Sequence, residues 1–220
     1  MRYLNEERKL WKKGHKKVVG LDEAGRGPLA GPVVAAAVMI KRFPVANFQF
    51  LGINDSKKLS AKKREEFYKI ITKHPAIEWG IGKVSEKVID KINIFQATKL
   101  AMKRATNNLE RKHSLADFLI LDGKISLDLP IAQKSIVKAD EKVFSCMAAG
   151  ILAKVWRDRI MRKYHLKYPG YGFAQHKGYP TKYHRKMLKK HGRCVIHRLS
   201  FKLRRNYGCS KTKTHQIKKG

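Results

Sequence analysis

Asp22 and Glu23 stand side by side at the end of a short apolar run, Val18-Val19-Gly20-Leu21, and the turn Gly25-Arg26-Gly27 follows at once. Burying such a carboxylate pair costs several kcal/mol unless a cation or hydrogen bonds compensate. The glycines free backbone N–H groups beside the acids, and Arg26 adds a planar fork that fits phosphate. Two further acids sit at similar junctions. Asp122 closes the apolar run Phe118–Leu121 directly before Gly123, and Asp140 falls where a strand gives way to a helix. If the four converge, they repel one another and their pKa values rise unless divalent cations neutralise them. Carboxylate and water ligands favour Mg²⁺ or Mn²⁺, and no Cys/His cluster with zinc spacing is present. The chemistry implied is metal-dependent hydrolysis of a phosphodiester. Each acid also has a plainer use: Asp22-Glu23 can close a surface hairpin, Asp122 can cap a turn, and Asp140 can cap the helix that follows.

Positioning these acids requires an α/β order. Val18–Glu23 and Val33–Ile40 read as strands, and Ser60 starts a helix to about Lys73, with Phe67, Ile70 and Ile71 on one face. Ile77–Val84 alternates as a strand. A helix over 94–112 leads into strand Phe118–Asp122, then a short strand Ser135–Lys138 and a helix Glu141–Tyr164. Pro169, Gly170 and Gly172 interrupt, and Thr181–Lys190 resumes as a helix. The fold class is α/β: a mixed sheet flanked by helices, with a C-terminal helical segment. In a regular strand Asp22 and Glu23 point to opposite faces. Both reach one site only if the strand kinks, which Gly25 permits, or if a backbone carbonyl contributes.

Charge narrows the partner. The 220 residues carry 50 Lys and Arg against 17 Asp and Glu, a net charge of +33. No acid follows Asp158, while 19 Lys and Arg occupy residues 159–220. Such a surface seeks a polyanion. Host composition alone accounts poorly for a 62-residue stretch without one acid. Three cysteines without a CxxC pair suit a reducing compartment, and no apolar run approaches a membrane span. With no signal-peptide h-region, a cytoplasmic location is expected. Three parts are expected: a basic N-terminal extension (1–17), a catalytic domain (18–202) and a basic, mobile tail (203–220). His176, His184 and His191 read as phosphate contacts or solvated surface rather than metal ligands. Tyr164, Tyr168 and Tyr171 could stack on bases or fill a core. The competing reading from composition is a non-catalytic basic RNA-binding protein.

Ordered motifs weigh against that alternative. Gly20-Leu-Asp22-Glu23-Ala-Gly-Arg-Gly-Pro-Leu-Ala-Gly-Pro-Val33 resembles the signature of the ribonuclease HII family, the type 2 ribonucleases H. Asp55-Ser-Lys-Lys-Leu-Ser60, Leu121-Asp122-Gly123 and Val137-Lys-Ala-Asp140 resemble its next motifs. Ala153-Lys-Val-Trp-Arg-Asp-Arg159, His176-Lys-Gly-Tyr-Pro-Thr181 and Ile196-His-Arg-Leu-Ser-Phe201 complete the series. The resemblance spans about residues 18–201. Gly-Arg-Gly, where the sister ribonuclease HIII group has Gly-Lys-Gly, separates the two, and 17 residues before the first strand leave no room for the HIII platform domain.

The resemblance implies an RNase H-like fold. It also implies cleavage of RNA in RNA–DNA hybrids and nicking 5′ of single ribonucleotides in duplex DNA, leaving 5′-phosphate and 3′-hydroxyl ends. By resemblance, Asp22, Glu23, Asp122 and Asp140 are catalytic and serve two Mn²⁺ or Mg²⁺ ions, with Asp22, Glu23 and Asp122 as direct ligands. Gly25, Arg26 and Gly27 would contact the ribose 2′-OH and its phosphates, Tyr179 would stack on the next deoxyribose, and Lys57 and Lys58 would grip phosphates. A monomer is expected. Ala139 where the family usually has Gly, Glu141 beside Asp140, and Gly150 where Ser is common depart from the pattern.

Overall fold

The structure is a computed structural model and describes residues 4–41 and 59–202. The expected 43–54 loop, Lys57 and Lys58, and the 203–220 tail lie outside those residues. Five strands form one mixed sheet: β1 Val18–Ala24, β2 Val33–Ile40, β3 Ile77–Val84, β4 Phe118–Asp122 and β5 Ala132–Ile136. Their order is β3-β2-β1-β4-β5. β1 to β3 form an antiparallel meander, whereas β4 and β5 run parallel to β1.

The alternation of each strand divides two cores. One face presents Val18, Val34, Ala36, Val38 and Ile120 to helices α1 (Asn5–Lys12), α2 (Ala61–Lys73) and α5 (Phe144–Lys167). The opposite face sets Val19, Leu21, Ala35, Ala37, Leu119 and Leu121 on α3 (Glu86–Lys112). There β3 has glycines at 80 and 82, because a Cβ at Gly82 would lie 1.9 Å from the carbonyl oxygen of Ala101. Close approach of α3 to the sheet depends on their missing side chains.

The N-terminal segment contributes to this core. Leu4, Leu10 and Trp11 are buried in it, and Glu7 accepts from the Ser145 N–H (2.9 Å) and Oγ–H (2.8 Å) at the start of α5. Ser60 caps α2 through the Lys63 N–H, as its sequence position implies.

Three elements differ from the sequence expectation. α3 begins at Glu86 rather than 94, but Asn93 (φ 63°) breaks it, and its Oδ1 accepts from the N–H groups of Phe95 and Gln96. The expected start was the start of its second segment. β5 runs over Ala132–Ile136 instead of 135–138, because its register on β4 ends at Ile136 and Lys138 turns left-handed (φ 60°). The helix expected from Glu141 is two: α4 (Ala139–Lys142), then an extended Val143, then α5, where Glu7 supplies a new cap.

Beyond α5 a 3₁₀ turn (Pro169–Tyr171), α6 (Phe173–His176) and α7 (Lys182–His191) form a third cluster with Leu29, Ala30, Met161 and Ile196. Tyr171 belongs to this core, its hydroxyl donating to the carbonyl of Gly192. Among the described residues no helix is long and apolar enough to cross a membrane.

Candidate active site

Parallel pairing puts the acids together. Leu21 of β1 aligns with Leu121 of β4, so the residues after them, Asp22 and Asp122, leave the same sheet edge on neighbouring strands. The left-handed Lys138 returns the chain after β5, and Asp122 Oδ1 accepts the Ala139 N–H at 2.6 Å. That bond fixes α4 against β4 and delivers Asp140. Ligand atoms of Asp22, Asp122 and Asp140 lie within 4.8 Å of one another.

Glu23 lies on the opposite face of β1 from Asp22, as strand alternation implies. β1 stays in register with β2 through Ala24, so no kink separates the two adjacent acids. Asp22 therefore lies on the α5 face, where Gly150 leaves room for it: a Cβ there would come 2.4 Å from Asp22 Oδ2. Glu23 stands outside that three-aspartate group, turned toward Arg26, with Oε1 3.4 Å from Nη1. The positive φ of Gly25 (104°) bends the chain only after both acids. The trio whose ligand atoms lie within 4.8 Å is thus Asp22, Asp122 and Asp140, with Glu23 beside it and acting on Asp22 by its charge.

Electrostatics disfavour four ionised carboxylates here without a countercharge. Burial pushes the Asp22 carboxyl well above its ordinary range, and Glu23, Asp122 and Asp140 push it further. Burial also raises Glu23, against the pull of Arg26. Glu23 Oε2 is buried with no hydrogen-bond partner among the described residues. An all-oxygen donor set, crowded carboxylates and an orphaned buried oxygen fit hard divalent cations such as Mg²⁺ or Mn²⁺.

Beside the acids stands the glycine turn. Gly25 is buried while Arg26 and Gly27 are exposed. Tyr179, 42% exposed, comes close to Gly27: a Cβ on that glycine would sit 3.7 Å from the ring. Lys154 and Arg157 each lie 5.9 Å from the centre of the same ring. Residues separated by some 150 positions thus share one rim.

The histidines correct the sequence reading, for His176 and His184 are interior. His176 and His184 stack at 4.3 Å, and His184 Nε2 meets His197 Nε2 at 3.0 Å. The Cys194 N–H donates to His197 Nδ1 and His184 Nδ1 meets the Tyr179 carbonyl, so a neutral chain of donors runs from Cys194 to Tyr179. Burial lowers His184 and His197 to about 4. His191 is exposed, as expected.

Arg198 and Glu7 have structural roles that sequence reasoning missed. Arg198 is fully buried, and the sequence marked it only by its place in the motif Ile196–Phe201, without a role.

Comparison with known proteins agrees. The family model for ribonuclease HII matches residues 19–204. A ribonuclease HII of Acetivibrio thermocellus is 51% identical over 195 residues, covering 89% of this chain and 73% of that protein. One from Chlorobium chlorochromatii is 50% identical and covers 90% of this chain and 95% of its own. The crystal structure of ribonuclease H2 from Pyrococcus horikoshii superposes with a TM-score of 0.69 at 28% identity, over 84% of this chain and 93% of that one. Shared sequence over nine-tenths of the length and a shared architecture place the chain in the ribonuclease HII family.

Proposed function

We propose that this chain is an endoribonuclease that hydrolyses the RNA strand of RNA–DNA hybrids and nicks 5′ of ribonucleotides embedded in duplex DNA. Family membership supports the reaction class. The observation that carries the reading is the trio Asp22, Asp122 and Asp140 within 4.8 Å, on the same rim as Gly25–Gly27 and Tyr179.

Asp22, Asp122 and Asp140 would hold divalent cations, with Glu23 completing the set through its orphaned oxygen. Two such ions supply an activated water and charge neutralisation at the leaving oxygen, consistent with 5′-phosphate and 3′-hydroxyl products. The protein does the rest. Gly25 and Gly27 bring backbone close to the sugar, whose 2′-OH distinguishes RNA from DNA. Arg26 keeps one donor on Glu23 and offers the others to phosphate. Tyr179 presents a ring to the next sugar. Lys57 and Lys58 are assigned to phosphates by family resemblance alone. Mg²⁺ or Mn²⁺ as the ion, a monomeric cytoplasmic enzyme, a catalytic unit over 18–202 and a part in ribonucleotide excision complete the proposal.

The test uses two labelled substrates, an RNA–DNA hybrid and a duplex with one ribonucleotide, with Mg²⁺ or Mn²⁺ and with EDTA. Cleavage of both, lost in EDTA, is expected. Tight binding of the hybrid without cleavage under any divalent ion would instead make the protein a binder.

A further inference from the structure

Two fully buried arginines hold the glycine turn from behind. Arg198 Nη2 donates to the carbonyl of Gly25 at 2.6 Å, Nη1 to that of Arg26 at 2.9 Å and Nε to that of Gly31 at 2.9 Å. Arg157 donates from Nε to Pro32 (3.0 Å) and from Nη2 to Ala30 (3.1 Å). Residues 25–32 thus turn five carbonyls inward onto two guanidinium groups. Among the described residues neither arginine pairs with a carboxylate, an unusual cost for buried charge. The fit is tight. A Cβ at Gly25 would lie 2.2 Å from Arg157 Nε.

In a trans peptide the C=O and the following N–H point in opposite directions. Arg198 pulls the Gly25 and Arg26 carbonyls inward, so the N–H groups of Arg26 and Gly27 must face outward. Those two residues are exposed beside Tyr179, whereas Gly25 is buried. Arg198 is itself fixed on every side. Its N–H donates to the Leu29 carbonyl, its own carbonyl accepts from Arg193, and Asp90 receives the N–H groups of Leu199 and Ser200.

We propose that Arg198 is a specificity-determining positioning residue: by gripping two carbonyls it sets the outward N–H groups that recognise the ribose 2′-OH. This rests on the function proposed above. Three separate carbonyls are met by three different nitrogens of one rigid fork, which the single ammonium of lysine does not reproduce. The charge is incidental and the geometry is what matters.

The experiment measures binding of a DNA duplex with one ribonucleotide against the same all-DNA duplex, in an Asp122→Asn background and with EDTA, which together suppress turnover. Arg198→Lys should reduce the ratio of the two affinities by about tenfold, the worth of one hydrogen bond. Affinity for the all-DNA duplex should stay within about twofold, since phosphate recognition is untouched. In Arg198→Ala, millimolar guanidinium should restore the ratio. Leu10→Ala, on the far α1, controls for reduced stability and should leave the ratio at the parent value. An Arg198→Lys ratio equal to that of the parent or of the Leu10 control overturns the proposal, as does an Arg198→Ala ratio that guanidinium leaves unrestored. Absence of any ribonucleotide preference in the parent points to failure of the functional reading itself, because Arg198 is intact there.

Discussion

At the scale of single residues the carboxylates carry the sharpest expectations. Asp122→Asn keeps an oxygen for the Ala139 N–H, so the thermal midpoint should hardly move. Replacing an anionic ligand with a neutral one should nevertheless lower kcat by at least about 10²-fold. Steady-state cleavage of a hybrid at saturating Mg²⁺ checks this, and near-parental turnover would remove Asp122 from the chemistry. Tyr179→Ala tests the rim. It should slow cleavage of the single-ribonucleotide duplex more than that of a hybrid, because only the former has a deoxyribose after the scissile ribose; an unchanged rate ratio would make the ring a packing residue. Asp22, Asp122 and Asp140 were legible in the sequence because each ends an apolar run or strand-to-helix junction. The opposite facing of Asp22 and Glu23 was legible from strand alternation, but whether the strand kinks between them was not, since that depends on β1 keeping its register through Ala24, a pairing that no local pattern records.

Elements explain how those residues are delivered. The break at Val143 turns one expected helix into two, and the short α4 carries Asp140 to the sheet edge. Glu7 offsets the break by capping the second helix, accepting from both the N–H and the hydroxyl of Ser145. One of its oxygens has no partner among the described residues, and burial raises its pKa. Glu7→Gln keeps the acceptor and sheds the buried charge, so chemical denaturation should show it at least as stable as the parent. Glu7→Ala strands the Ser145 N–H and should cost about 1–3 kcal/mol. A larger loss for Gln than for Ala would contradict the capping role. The sequence showed a basic N-terminal segment. It did not show that this segment reaches the start of α5, because an interaction across 138 residues leaves no trace in local periodicity.

The whole molecule responds to pH and salt. His184 and His197, lowered to about 4 in the folded state, stay neutral while the unfolded chain protonates near its ordinary value of 6.5. The unfolded state therefore binds more protons between those values, and their contribution to stability is full above about pH 6.5 and is lost as pH falls toward 4. Ring resonances of the two histidines in NMR spectra should remain constant from pH 8 to about 5. A titration near 6.5 in either would break the neutral chain of donors that runs from Cys194 to Tyr179. Salt reports on the tail. Deleting residues 203–220 removes six Lys and Arg and no acid. The slope of log affinity against log salt should become shallower by about 0.7–0.9 for each phosphate that the tail neutralises, with the cleavage position unchanged. An unaltered slope would leave the tail without a part in binding.

Arg198 meets Gly25 and Arg26 across 173 and 172 residues of chain. A contact of such sequence separation raises the contact order, and its loop-closure entropy must be met before it forms. During synthesis the three aspartates leave the ribosome well before residue 198 does. A growing chain thus holds the three aspartates before it holds Arg198, and with the roles proposed above, a product truncated short of that arginine would carry the acids with an unset turn.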